Sequence, residues 1–322
     1  SGLLACARAL ADDPVVLAWA RAGGDPSAAS GGVREACKAY LRRHGASGFH
    51  ALDPAAPRWE ALSGVLVHTI AVAVSGQASQ PLALDRVRVA RGRRERAERV
   101  WSRAVPLALR PVAAHMRTRL KRYTALRTRL LEAAVRSVAA LHGIHADASR
   151  RLQTRHPDAG PDGACFLTMQ ELHRVLREER WDVSAQLSAR RTQWRIESTR
   201  GELPGRFCGA PPASRCPEGA LAGDRLQGLS GSAGSETGTV RHVRCPEDLQ
   251  RVCSGDVLLV PAIDFGLAPV LACVSAVISE RGGTLSQGVM LASALGVPCV
   301  VGVDDVLRRL PAGSEVRVDA DR

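Results

Sequence analysis

The sequence predicts an α/β protein in two portions: a mostly α-helical connector of about 200 residues and a compact α/β unit of about 85. Three observations carry that prediction. The first portion is an Ala/Leu/Arg mixture whose apolar residues recur every three or four positions, as on one face of a helix. From Glu202 to Gly238, Gly, Pro, Ser and Cys replace that mixture, which is the composition of a linker. Beyond it, short runs rich in Val and Ile alternate with helical stretches. A chain of 322 residues has room for two or three domains, and a hydrophobic fraction of 45% excludes disorder throughout. The expected division is 1–205, the helical connector; 206–238, a Gly/Pro/Ser-rich linker and opening segment; and 239–322, the α/β unit.

Residues 3–22 read as a helix and 23–32 as a loop. Val33 to Arg43 should form a second helix that stops at Gly45, followed by an irregular connection up to Pro57. Leu62 to Val74 is apolar and expected to be buried. After Pro81 a long basic region begins, in which Pro106 and Pro111 should end or kink helices because proline lacks an amide hydrogen. A helix is expected from Arg117 to His142, with Leu126, Leu130, Leu131, Ala134, Val135, Val138 and Leu141 on its apolar face and arginines outside. After a loop at 156–163, Thr168 is placed to cap a helix with Glu171 as its N3 partner, and helices continue to Glu197. In the α/β unit, strands are expected at Val257–Ile263, Ala276–Ser279, Cys299–Val303 and Glu315–Val318. Helices should fill the intervals at Gly266–Val274, Ser286–Leu295 and Asp305–Leu310.

The formal net charge of +12 is local. Arg86 to Arg136 holds sixteen basic residues against Glu95, Glu98 and Glu132, so the rest is near neutral. Arg91, Arg93, Arg94, Arg96 and Arg99 have the charge to neutralise phosphates. Trp101 and Tyr123 are too few aromatics for a row of base-stacking platforms, so a solvated helix face is favoured over nucleic-acid binding. No apolar run approaches the roughly 20 residues of a bilayer span, and nothing resembles a signal peptide. The nine cysteines are an odd number without a C-x-x-C pair, as expected of reduced thiols in a cytoplasmic protein, and no metal site is expected.

The sharpest motif runs from Glu280 to Pro298. A strand ends, Gly282 and Gly283 make a tight turn, and Ser286 caps a helix whose first turn holds Gln287 and Gly288. Free backbone N–H groups and the helix dipole suit such a start to an anion, and Gly288 allows close approach of a phosphate or of another backbone. An ordinary strand-turn-helix junction without a ligand has the same spacing.

These residues resemble the swivelling phosphohistidine domain of the phosphoenolpyruvate-utilising enzymes. The likeness runs through Gly282, Gly283, Ser286, Gly288, Ala292, Gly296, Pro298, Val300, Val301 and Gly302. It extends to Gly228–Gly234 with Gly238 as an opening segment, to the Gly255–Val260 strand, and to the close at Gly313–Asp319. Within that family the pattern is similar to rifampicin phosphotransferases and phosphoenolpyruvate synthase-like proteins. Arg42-Arg43-His44-Gly45 leading to Asp53 and to Pro57-Arg58-Trp59-Glu60 is similar to one of their helical segments. Phe166-Leu167-Thr168 with Glu171-Leu172, followed by Arg190-Arg191, is similar to another.

The resemblance implies a mobile domain that carries a phosphoryl group on a histidine between an ATP-grasp nucleotide-binding domain and an acceptor site. ATP and Mg would be bound by that nucleotide-binding domain, upstream or in trans, and not by this chain; the small-molecule acceptor is not specified. The carrier histidine falls on Gln287, whose amide nitrogen has its lone pair delocalised and cannot replace an imidazole. A signature arginine falls on Ser293, which removes a cation that would favour phosphate. Ala46 and Ser47 stand where His-Arg is expected, and His50 lies near the place of a glutamate. Ser286 and Thr284 offer hydroxyls without an evident base, His242 is expected at the surface, and Cys299 in the core. The expectation is therefore a phosphotransferase portion disabled at its carrier position. The alternatives are a non-catalytic regulatory, anion-binding or partner-binding module and, behind both, a nucleic-acid binder.

Overall fold

The computed structural model describes residues 31–74, 83–177, 182–198, 208–209, 225–271 and 273–321; the expected helix at 3–22 lies outside them. The helical portion contains α1 (Gly31–His44), α2 (Ser63–Val74), α3 (Ala83–Ala104), α4 (Arg110–Arg155), α5 (Met169–Arg177) and α6 (Ser184–Ser198). The α/β portion contains β1 (Leu229–Ser232), β2 (Ser235–His242), β3 (Val257–Val260), α7 (Ala268–Leu271), β4 (Ala276–Ser279), α8 (Gln287–Leu295), β5 (Cys299–Val301), α9 (Val306–Arg309) and β6 (Glu315–Asp319). Helical region followed by sheet is the α/β class expected. The chain divides into two compact units. Among the described residues, one holds α1 to α3, α4 up to Arg136 and the sheet, and the other holds Leu52–Ala56, the rest of α4, α5 and α6.

The sheet is mixed, in the order β1-β5-β4-β3-β2-β6. β2, β3, β4 and β5 run parallel, while β1 lies antiparallel on β5 and β6 antiparallel on β2. Every residue of β3 and β4 is buried, as expected of central parallel strands covered on both faces. The pleat sends Val257 and Leu259 to one side, with Ile278 and Val318, and Leu258 and Val260 to the other, with Val277 and Val301.

That second face is closed by the helical portion. Cys37, Tyr40, Phe49, Trp59, Leu66 and Val67 are buried in the same cluster as Leu258, Val260 and Val289. Trp59 is 1% exposed and meets Phe49 edge-on at 6.3 Å, and Arg58 beside it donates from Nη1 to the Ala51 carbonyl at 2.7 Å. Two glycines allow this junction: a Cβ on Gly266 would stand 2.3 Å from the Gly48 carbonyl oxygen. The second unit has its own smaller core, including Leu152, Ala164, Leu172, Val175 and Leu187.

Three local expectations change. β1 and the first half of β2 lie inside the stretch read as linker and opening segment, because these Gly- and Ser-rich segments are held by main-chain bonds to β5 and β6 and not by an apolar pattern. Pro111 neither ends nor kinks a helix: it is the second residue of α4, where a missing amide hydrogen costs nothing. α4 runs 46 residues, well beyond the expected 117–142, and of the seven residues expected on its apolar face only Val135 is buried, whereas Leu126, Leu130 and Leu141 are exposed.

Candidate functional site

The motif turn is fixed from both ends. Glu280 N–H and Arg281 N–H donate to the Val260 and Pro261 carbonyls at 3.2 and 2.9 Å, extending the β3–β4 pairing to the edge of the turn. The Glu280 side chain, 9% exposed, accepts from Leu307 N–H at 2.9 Å and so ties the turn to α9. Gly282 sits at φ 128°, a conformation open to glycine, and Ser286 N–H then closes on the Gly283 carbonyl at 2.8 Å.

Ser286 is the N-cap of α8 and accepts from Val289 N–H at 3.4 Å, and Gly296 ends the helix in the left-handed region at φ 70°. The Ser286 hydroxyl is therefore engaged in the fold. Gly288 is buried, and the space its missing Cβ would take is filled by Ile263, whose Cβ would lie 2.3 Å away. The close approach at Gly288 is to another segment of the protein. Gln287 is half-buried, and its Oε1 is shielded from solvent with no hydrogen-bond donor. Thr284, Leu285 and Ser293 are exposed.

One cation reaches the turn from another element. Arg127 on α4 donates from Nη1 to the Leu285 carbonyl at 2.6 Å and lies 3.5 Å from Met290 Sδ, while α8 packs against α3. Sequence reading gave Arg127 no role, since its partner is 158 residues away. His242 is half-buried, not at the surface, because its Nε2 pairs with the Leu310 carbonyl at 2.7 Å. Cys299 is fully buried, and burial pushes its thiol up to about 12. Among the described residues, no three His, Cys, Asp or Glu side chains converge as a metal-ligand set.

The second motif lies in the other unit and is ionic. Glu171 accepts from Thr168 N–H and Oγ1, each at 2.8 Å, and receives Arg190 through both nitrogens at 2.6 and 2.8 Å. Arg190 also donates to the Phe166 carbonyl at 2.7 Å. Hydrogen bonds from Arg190 first, then from Thr168, hold the Glu171 carboxyl down to about 2. Arg191 donates to the Ala159 carbonyl and to Asp162 Oδ1, and stacks 5.2 Å over the Phe166 ring. These residues close a loop onto a helix and occupy one another fully.

The structure thus presents an α/β unit whose buried mixed sheet delivers a glycine turn and a capped helix, with its core completed by preceding helices. Residues 252–322 match the mobile domain of PEP-utilising enzymes, and residues 1–141 match the fourth domain of rifampicin phosphotransferase. The chain belongs to the phosphoenolpyruvate-utilising phosphotransferase family that includes rifampicin phosphotransferases and phosphoenolpyruvate synthases. It is 31% identical over 217 residues to an uncharacterised protein of Mycobacterium tuberculosis, covering 67% of this chain and 24% of that protein. Against a rifampicin phosphotransferase of Streptomyces sviceus it is 28% identical over 317 residues, 89% of this chain and 33% of the relative. A Pyrococcus furiosus phosphoenolpyruvate synthase matches at 30% over 97 residues, 30% of this chain and 12% of that enzyme. The chain thus spans 24% and 33% of the length of the first two relatives. Among the described residues no helix is long and apolar enough to cross a membrane.

Proposed function

We propose that the chain is the mobile-domain portion of a cytoplasmic, ATP-dependent phosphotransferase whose carrier position has lost its nucleophile, so that the portion does not itself carry phosphoryl groups. Gln287, at the first position of α8, carries this proposal. A phosphocarrier must offer an electron pair to phosphorus, and a neutral imidazole does so while a carboxamide does not. Neighbouring hydroxyls supply no substitute: Ser286 is the helix cap, and no acceptor side chain bonds Thr284 among the described residues. Ser293 adds no charge where the family resemblance puts an arginine. ATP and Mg would be held by an ATP-grasp domain upstream or in trans, and the acceptor would be a small molecule.

The experiment is gain of function. The double variant Gln287→His, Ser293→Arg is incubated with ATP, Mg and an intact nucleotide-binding domain of a family member. Acid-labile, alkali-stable label on the variant and none on a Gln287→Asn control would support a frame that is intact and lacks only its reactive group. No label on the variant, with the partner domain active towards its own mobile domain, would favour a purely regulatory or partner-binding module.

A further inference from the structure

We propose that the outer face of α4 between Val112 and Leu130 is a docking seam for an acidic amphipathic α-helix of a partner. Six apolar side chains form it: Val112, Met116, Leu120, Tyr123, Leu126 and Leu130, all between 40% and 71% exposed. Their spacings of four, four, three, three and four residues follow the helical repeat, so they line up along one side over about 27 Å. Single exposed leucines are ordinary on a surface, whereas a continuous stripe five turns long is the mark of an interface. The opposite side of the helix is in use, since Lys121 and Arg117 reach Glu98 on α3 at 2.9 and 4.0 Å.

Charge selects the occupant. Between Leu107 and Leu131 there are seven basic residues and no acidic one. Arg119, Arg122 and Arg129 are exposed and form no ion pair among the described residues. Arg119 borders the stripe directly, donating to His115 Nε2 at 3.2 Å and to the Tyr123 hydroxyl at 3.4 Å. A second copy would bring an identical cationic rim against this one, which costs energy. A nucleic acid would meet the arginines and leave the apolar stripe in water. A bilayer surface favours an apolar face free of fixed charge, whereas here the guanidiniums of Arg119 and of main-chain-bound Arg127 bring charge into the arc of the stripe. A helix with leucines at its own three-four spacing and glutamates beside them satisfies both stripe and rim.

The test uses the full chain and a fluorescent synthetic helix of about 20 residues with leucine at positions a and d and glutamate at e and g of its heptads. Anisotropy should report saturable binding that weakens as salt is raised. Met116→Ser with Leu120→Ser should weaken it about tenfold or more without changing the far-ultraviolet circular dichroism, because both side chains are already in solvent. A peptide with lysine in place of glutamate should not bind. Absence of binding to the acidic peptide, or equal binding of the lysine peptide, overturns the proposal. So does binding to vesicles of phosphatidylserine and phosphatidylcholine in preference to the peptide, and so does a dimer in sedimentation equilibrium that Leu120→Ser dissolves.

Discussion

The glycine turn at 280–288 and the clamp at 166–191 are both segments that the family resemblance picks out, and they are built by different means. Hydrogen bonds to the main chain, including those of Glu280 and Arg127, two glycines and one cap hold the turn, whose side chains at Gln287 and Ser293 are neutral. The clamp depends on a doubly bonded ion pair, Glu171 with Arg190, seconded by Arg191. In the clamp charge pairs with charge to fasten a loop to a helix, whereas at the turn the charged side chains of Glu280 and Arg127 bond the main chain. A turn fixed largely through its backbone should tolerate exchange of the side chain at 287, which makes fold and chemistry separable by experiment.

That contrast can be broken in order of expected size. Gly288→Val should destabilise the sheet unit by about 3 kcal/mol in denaturant melts, because its side chain must displace Ile263. A change below roughly 1 kcal/mol would mean that the turn is looser than the packing implies. Glu171→Gln should act next, and in a pH-dependent way. The native carboxyl is held at about 2 against an ordinary value of 4.5, so the unfolded chain binds the proton first as pH falls. The stabilisation is thus complete above about 4.5 and is lost as pH drops towards about 2. Melting temperatures of the protein and its Glu171→Gln variant should differ most near neutrality and converge at the acid end. A gap that persists there would assign the effect to packing.

Ser286→Ala should cost about 1 kcal/mol, the usual loss of a helix cap. Its measurement is again a denaturant melt, and an unchanged midpoint would show that the hydroxyl is free for other work. The smallest effect belongs to Gln287→His. Gln287 Oε1 gives up no hydrogen bond on exchange, so stability should move by no more than about 0.5 kcal/mol. A larger loss would tie the reactive position to the fold and remove the separation argued above.

Much of the α/β portion was legible because its central strands are unbroken apolar runs. β4 has the expected bounds, Ala276–Ser279, and β3, β5 and β6 begin where expected. The cap at Ser286 and the reciprocal bonds of Thr168 with Glu171 were readable from short-range spacing alone. What escaped sequence reading is long-range. β1 is Leu-Ser-Gly-Ser, has no strand-like composition, and exists because β5 offers it an edge. Arg127 meets Leu285 only through tertiary packing, and Gly48 gives no sign of Gly266 until the chain is folded. The apolar period from Leu126 to Leu141 was visible in the sequence, but periodicity does not say whether a face is covered.

Gln287 is proposed to leave the turn at 280–288 without a phosphoryl-accepting group, and intact-mass spectrometry of the unmodified chain tests this most directly. The chain is incubated with ATP, Mg and a family nucleotide-binding domain proven on its own mobile domain, then measured before any acid step. The expected mass is unshifted. A phosphorylated species at meaningful stoichiometry, lost in acid and mapped to residues 284–288, would contradict it.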